Sequence, residues 1–248
     1  MPTDLPPNIS LEPLPFEEAI AAFKAKLPLS VDEFYALAAE SRVMAFTVAR
    51  VVKMDILMDI HGAVEKAIEA GETLADFTGR LADIMAQKGW EGMSPWHTET
   101  VFRNNIQTAY STGRYKQMVE QQDRFPYWEY DAVNDSRTRP THAALDGKVF
   151  AADHPFWDTW YPPNGHRCRC SVNPVNKYAA EEEGLKIETE DPTGGYIEPK
   201  DPATGNKMPA RPLIPDPGWA HNPAKTPWQP DMSKYPDELR AQFEKENG

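Results

Sequence analysis

The stretch Phe125-Pro126-Tyr127-Trp128-Glu129-Tyr130-Asp131-Ala132-Val133 divides the chain into two kinds of pattern. Before it, apolar residues recur at helical spacing; within it they alternate with polar ones, as on a half-buried strand rich in aromatic side chains. Gly147 to Phe150 and Arg169 to Val175 read as two further strands. The fold class expected from this change of period is α+β: an N-terminal helical bundle packed on a small antiparallel sheet, with proline-rich extended N- and C-terminal segments.

Upstream, the helices carry their own punctuation. Ser30 with Glu33 forms a capping-box pattern ahead of Phe34, Tyr35 and Leu37. The longest predicted helix follows, with Ala45, Val48, Val52, Ile56, Ile60, Ala63, Val64 and Ala67 on one stripe and Gly71 placed to end it. Thr73 opens a helix bearing Leu74, Phe77, Leu81, Ile84 and Met85 that Gly89 terminates, and Pro95 suits the first turn of the next, with Phe102, Ile106, Ala109 and Tyr110.

The expected organisation is therefore an extended arm over 1–15, a helical region over 16–124, a small α+β domain over 125–180, and a proline-rich, largely irregular tail over 181–248. The arm holds Pro2, Pro6, Pro7, Pro13 and Pro15; the tail carries Tyr196, Trp219 and Trp228, aromatics available to dock on a partner.

Composition narrows the function classes. The chain has 248 residues, a formal net charge of −12 and 24 prolines. That charge argues against a broad nucleic-acid surface, which needs clustered cations to displace counterions. A weak DNA contact remains permitted by Arg137, Arg139, Lys148, His166, Arg167 and Arg169, although Asp135, Asp146, Asp153 and Asp158 offset most of that local charge. No secretion signal is evident, and the longest apolar helix pattern carries Arg42, Arg50, Lys53, Asp55 and Asp59, so no membrane association is expected.

Chemistry-bearing residues concentrate in three runs: Asp135-Ser136-Arg137-Thr138-Arg139-Pro140-Thr141-His142, then Leu145-Asp146-Gly147, then Pro162-Pro163 closing at Cys168-Arg169-Cys170. The two cysteines are the only ones in the chain, and a bridge between them would close a strained ring, so thiols or metal ligands are expected. Three readings stay open.

In the first, His142, His166, Cys168 and Cys170 hold a tetrahedral structural zinc, with Asp135, His154 or water as alternatives for the fourth position. In the second, the thiols are small buried groups, His142 bonds a carbonyl, Asp135 accepts amide protons at the start of a short Thr138 to Leu145 helix, and Arg137 or Arg139 pairs with a carboxylate such as Asp146. In the third, His142 or His166 serves as general base beside Arg137, Arg139 and Arg169 in a nuclease or other hydrolase, metal-dependent or not. His61 and His97 each stand alone in a helical pattern and read as core or solvated histidines.

These runs, in this order, resemble the phage Mu F-like family of minor head, or head morphogenesis, proteins: an Asp-x-Arg-Thr-x-x-x-His run, a Leu-Asp-Gly turn and a Pro-Pro close on Cys-Arg-Cys. The resemblance covers roughly residues 40 to 175 and carries the motif positions Asp135, Arg137, Thr138, His142, Asp146, Gly147, Pro162, Cys168, Arg169 and Cys170. It implies a virion protein, assembled in the host cytoplasm, that meets the portal or the capsid interior in few copies and leaves with the DNA. Some relatives add a C-terminal toxin domain; the short linker-like stretch after Val175 implies a form without one. No small-molecule substrate is expected.

Overall fold

The computed structural model describes residues 16–37, 42, 45–51, 53–90, 92–225, 237, 240 and 241. The predicted arm over 1–15, Val52 and Trp228 lie outside them. The fold is α+β, with helices first and the main sheet after them.

Helix α1 (Glu17–Lys24) buries Ala19, Ile20 and Phe23. After β1 (Leu27–Pro28), α2 (Val31–Ala36) starts in the predicted capping box: Glu33 N donates to Ser30 Oγ, and Ser30 N donates back to the Glu33 carboxylate. The stripe read from Ala45 onward is not one helix. Ala45–Phe46 is strand β2, parallel to β1 in the register Leu27↔Ala45 and Pro28↔Phe46, and α3 begins only at Met54. Ala45 and Phe46 are buried by this non-local pairing, which a helical period cannot reveal.

Helix α3 (Met54–Ala70) buries Ile56, Ile60, Ala63, Val64 and Ala67, and Gly71 closes it in the left-handed region at φ 62°. In α4 (Leu74–Lys88), Thr73 and Asp76 cap each other, and Phe77 and Leu81 face the core. The longest helix is α5 (Pro95–Glu120), capped by Ser94 with Pro95 in its first turn; its 26 residues span about 39 Å.

Strands β3 (Tyr127–Asp131), β4 (Val149–Ala151), β5 (Ser171–Val175) and β6 (Ile187–Glu188) form a sheet in the order β5-β3-β4-β6. The β3 pairings are antiparallel, as expected, but β6 joins β4 in parallel, so the sheet is mixed. Helices α6 (Pro140–Ala143) and α7 (Phe156–Trp160) interrupt it, and α8 (Lys177–Glu182) follows β5.

Two apolar clusters result. One gathers Phe23, Ile60, Val64, Phe77, Leu81 and Phe102 from the helices and Phe46 from β2. The other is aromatic: Trp128, Tyr130, Phe150, Phe156, Trp157, Trp160 and Tyr161, with Phe150 stacked on Phe156 at 4.0 Å between ring centres. Helix α5 serves both, giving Val101, Phe102 and Ala109 to the first and Met118 to the second.

The segment read as an irregular tail carries little regular structure, yet through residue 225 it is threaded against the body. Strands β7 (Tyr196–Ile197) and β8 (Arg211–Pro212) pair, Leu213 enters the aromatic cluster, and Asn222 Nδ2 donates to Trp157 O at 3.0 Å. Trp219, read as free to dock on a partner, stands edge-on to His166, while Tyr196 is exposed.

Candidate functional site

A buried knot joins the first and last of the three sequence runs. His142 sits on α6, whose backbone starts at Pro140 with its ring-fixed φ; Cys168 and Cys170 sit on the approach to β5. His142 Nδ1 lies 3.7 Å from Cys168 Sγ and 3.5 Å from Cys170 Sγ. The three side chains are 2%, 5% and 3% exposed, and His142 stands perpendicular to Trp160.

Metal geometry supplies a test of that spacing. Ligand distances of about 2.3 Å to sulfur and about 2.05 Å to nitrogen, at a tetrahedral angle, imply an N···S edge of about 3.6 Å. The observed 3.5 and 3.7 Å bracket it. All three ligand atoms lie within 4.8 Å of one another, and among the described residues no fourth His, Cys, Asp or Glu joins them. An adjoining cavity of about 10 Å3, lined partly by Thr138, His142, Cys168 and Cys170, has room for about one water or ion and none for a nucleotide. Hydrogen bonds from Cys170 and His142 hold the Cys168 thiol below its ordinary range, while the neighbouring Cys168 and burial push Cys170 up.

The remaining candidates are placed elsewhere. His166 points away from the sulfurs: Asn104 Nδ2 donates to its Nδ1 at 2.8 Å. The cause is local. Arg167 adopts φ 58°, and Cys168 N closes a tight turn onto Gly165 O at 3.1 Å, so the even-numbered residues do not share one face as they would on a strand. His154 accepts from Phe156 N and meets Thr189 O, and Asp135 receives both Nη atoms of Arg169 at 2.7 and 2.6 Å. Neither reaches the knot.

Asp135 also accepts the Arg137 amide at 2.9 Å, and Arg169 holds its carboxyl well below the usual carboxylate range. Arg137 is largely exposed, and Thr138 is buried beside it. Arg137 and Arg139 each pair with a carboxylate as expected, but not with Asp146: Arg137 lies 3.6 Å from Asp135. Arg139 instead pairs with Asp216 at 2.7 Å and donates to His166 O, whereas Asp146 accepts from Ala132 N and Asn134 Nδ2 in the turn that Gly147 closes at φ 72°. Pro162 precedes a cis Pro163, and both are buried.

Several residues that sequence reasoning passed over fix the cysteine segment. From α5, Asn104 Oδ1 accepts from Arg167 N at 2.6 Å, Gln107 Nε2 donates to Cys170 O at 3.1 Å, and Arg114 Nε donates to Val172 O at 3.0 Å. Glu99 pairs with Arg167 at 2.7 Å, and Tyr130 donates its phenol to Asn164 Oδ1 inside the core. The signal was present as polar residues recurring down one face of α5, where the default reading is a solvated surface.

Residues 58–173, from within α3 to β5, match the family described as Phage Mu protein F like protein. Over 89% of its length the chain is 35% identical to capsid assembly protein F of Escherichia phage Mu, a name given provisionally, and over 59% it is 42% identical to the Mu-like prophage FluMu F protein of Haemophilus influenzae. The chain belongs to the phage Mu F-like family. It spans 56% and 38% of those two relatives, about half their length. No solved structure matches it. Within this Mu F-like chain, the matched span contains both halves of the knot and the α5 residues that hold it. Among the described residues no helix is long and apolar enough to cross a membrane.

Proposed function

We propose that this Mu F-like chain is a phage head morphogenesis protein, a minor component that binds the portal or the capsid interior during assembly and accompanies the DNA on ejection. The observation that carries this reading is the match of the motif-bearing span to a family whose phage Mu relative is named for capsid assembly. In this reading the chain works as a virion part, put together in the host cytoplasm, and the knot is structural. A general base must meet its substrate within hydrogen-bond reach, and a His142 that is 2% exposed beside a cavity of about 10 Å3 favours the structural role over the hydrolase.

The knot's own proposed role is to hold a zinc ion through His142, Cys168 and Cys170, with water in the fourth position. The donor set suits that ion and the edge lengths fit it. Bound metal would supply cross-linking only, tying α6 to β5.

Quantitative mass spectrometry of purified particles, compared with particles from phage lacking the gene, tests the reading. The chain should be retained in mature heads at a few copies each and should co-purify with portal rings. Wild-type head yield without the gene, or absence of the chain from washed particles, overturns it.

A further inference from the structure

A second cavity, of about 350 Å3, lies apart from the knot, between the helical half and the threaded C-terminal segment. Phe46, Val48 and Val101 wall it on one side, and Pro163 and Trp219 on the other. Its polar wall is cationic or neutral: Lys26, Arg42, His97 and His166 line it, with Asn104 and Thr47. Among the described residues no Asp or Glu lines it, in a chain with 38 acidic residues.

Lys26 is the unusual member. It is 8% exposed, no hydrogen bond or ion pair reaches its ammonium among the described residues, and burial alone pushes it down to about 8. Titratable neighbours among the described residues do not relieve it. His61, on α3, is itself buried and pushed down to about 4, first by burial and then by the charge of Lys26. Asp216, adjoining the wall residue Pro217, is taken by Arg139 at 2.7 Å. Arg42 directs Nε and Nη2 to the carbonyls of Phe34 and Tyr35 and lies over both rings, so it adds positive potential without cancelling any.

A buried cation with no counter-charge among the described residues is costly unless one arrives, and a cavity of this size with apolar walls has the dimensions of a small-ligand site. We propose that this cavity binds a small organic anion, a carboxylate or phosphate carried on a ring-sized apolar body, with Lys26 as its counter-charge. Aromatic and aliphatic walls would take the ring, while Lys26, assisted by Arg42 and the histidines, would meet the charged end.

Calorimetric titration of the full chain with benzoate, phenyl phosphate and inorganic phosphate at low salt tests this, alongside the Lys26→Met variant. Saturable binding of benzoate or phenyl phosphate is expected, at least tenfold tighter than inorganic phosphate, with the tighter of the two defining the natural headgroup. Lys26→Met should weaken it at least tenfold while melting, without ligand, at or above the wild-type temperature, because the substitution removes a buried charge that no described residue pairs with. Lys26→Gln provides a second variant should the methionine misfold. No binding of either ring-bearing anion, or equal binding by wild type and both variants, overturns the proposal.

Discussion

Asn104 of α5 grips the Arg167 backbone from one side: its Oδ1 accepts from Arg167 N at 2.6 Å, while its Nδ2 donates to the neighbouring His166 ring at 2.8 Å. One amide thus satisfies both faces of the residue pair that leads the chain into the cysteines, and it holds a non-glycine residue at positive φ.

Replacing Asn104 with alanine should therefore cost about 1–3 kcal/mol, the penalty of leaving a partly buried amide unpaired. Urea melts check this. An unchanged midpoint would mean that the turn at Arg167 holds itself.

Metal content is the second expected outcome. Protein purified without chelators should carry close to one zinc per chain, and Cys168→Ser, Cys170→Ser or His142→Ala should each lose it with several kcal/mol of stability, as structural zinc sites do. Elemental analysis with melts in chelator decides between the metal-held and metal-free knot: a wild-type chain with no metal, insensitive to chelator, leaves the hydrogen-bonded form.

Gly113 reverses the usual helix rule. In an exposed helix interior, Gly→Ala gains about 1 kcal/mol. Here an added Cβ would lie 2.7 Å from Ala19 N and 2.9 Å from Phe16 Cζ, so α1 would be pushed off α5. Gly113→Ala should destabilise by about 1–3 kcal/mol, the range for an overpacked contact. A gain in melting temperature would show that α1 shifts without cost.

Two buried bases make stability rise with pH in two separate windows. His61, stacked on Phe23 at 4.6 Å, is pushed down to about 4, so as pH falls from 6.5 the unfolded chain takes a proton that the folded chain refuses, and stability is lost until about pH 4. Lys26 acts at the other end: between about 8 and 10.5 the unfolded chain still holds its proton and the folded chain has released it, so stability rises with pH across that window. Each shift is worth about 3 kcal/mol at full extent. Urea midpoints across pH should show both limbs, with His61→Phe flattening the acid one and Lys26→Met the alkaline one.

The sequence made the local features legible because their causes are local. Caps at Ser30 and Thr73, Pro95 in a first turn, and left-handed stops at Gly71 and Gly89 need only neighbouring residues. The motif likewise foretold that His142 and the cysteines belong together. What failed was non-local. Ala45 and Val48 fit a helical period but answer to a strand partner at Leu27 and to the core beyond, and His166 fits strand alternation that Arg167 breaks. The anchors Asn104, Gln107 and Arg114 bind loop backbone more than fifty residues away, which no window along the helix could detect.

Helix α5 forms a wall of both apolar clusters, with Val101 and Phe102 near one end and Met118 near the other. Neither half can shed its lining and keep the other's intact. Melting should be a single event, and a proteolytic nick beyond Glu120 would leave two fragments that each expose a greasy face.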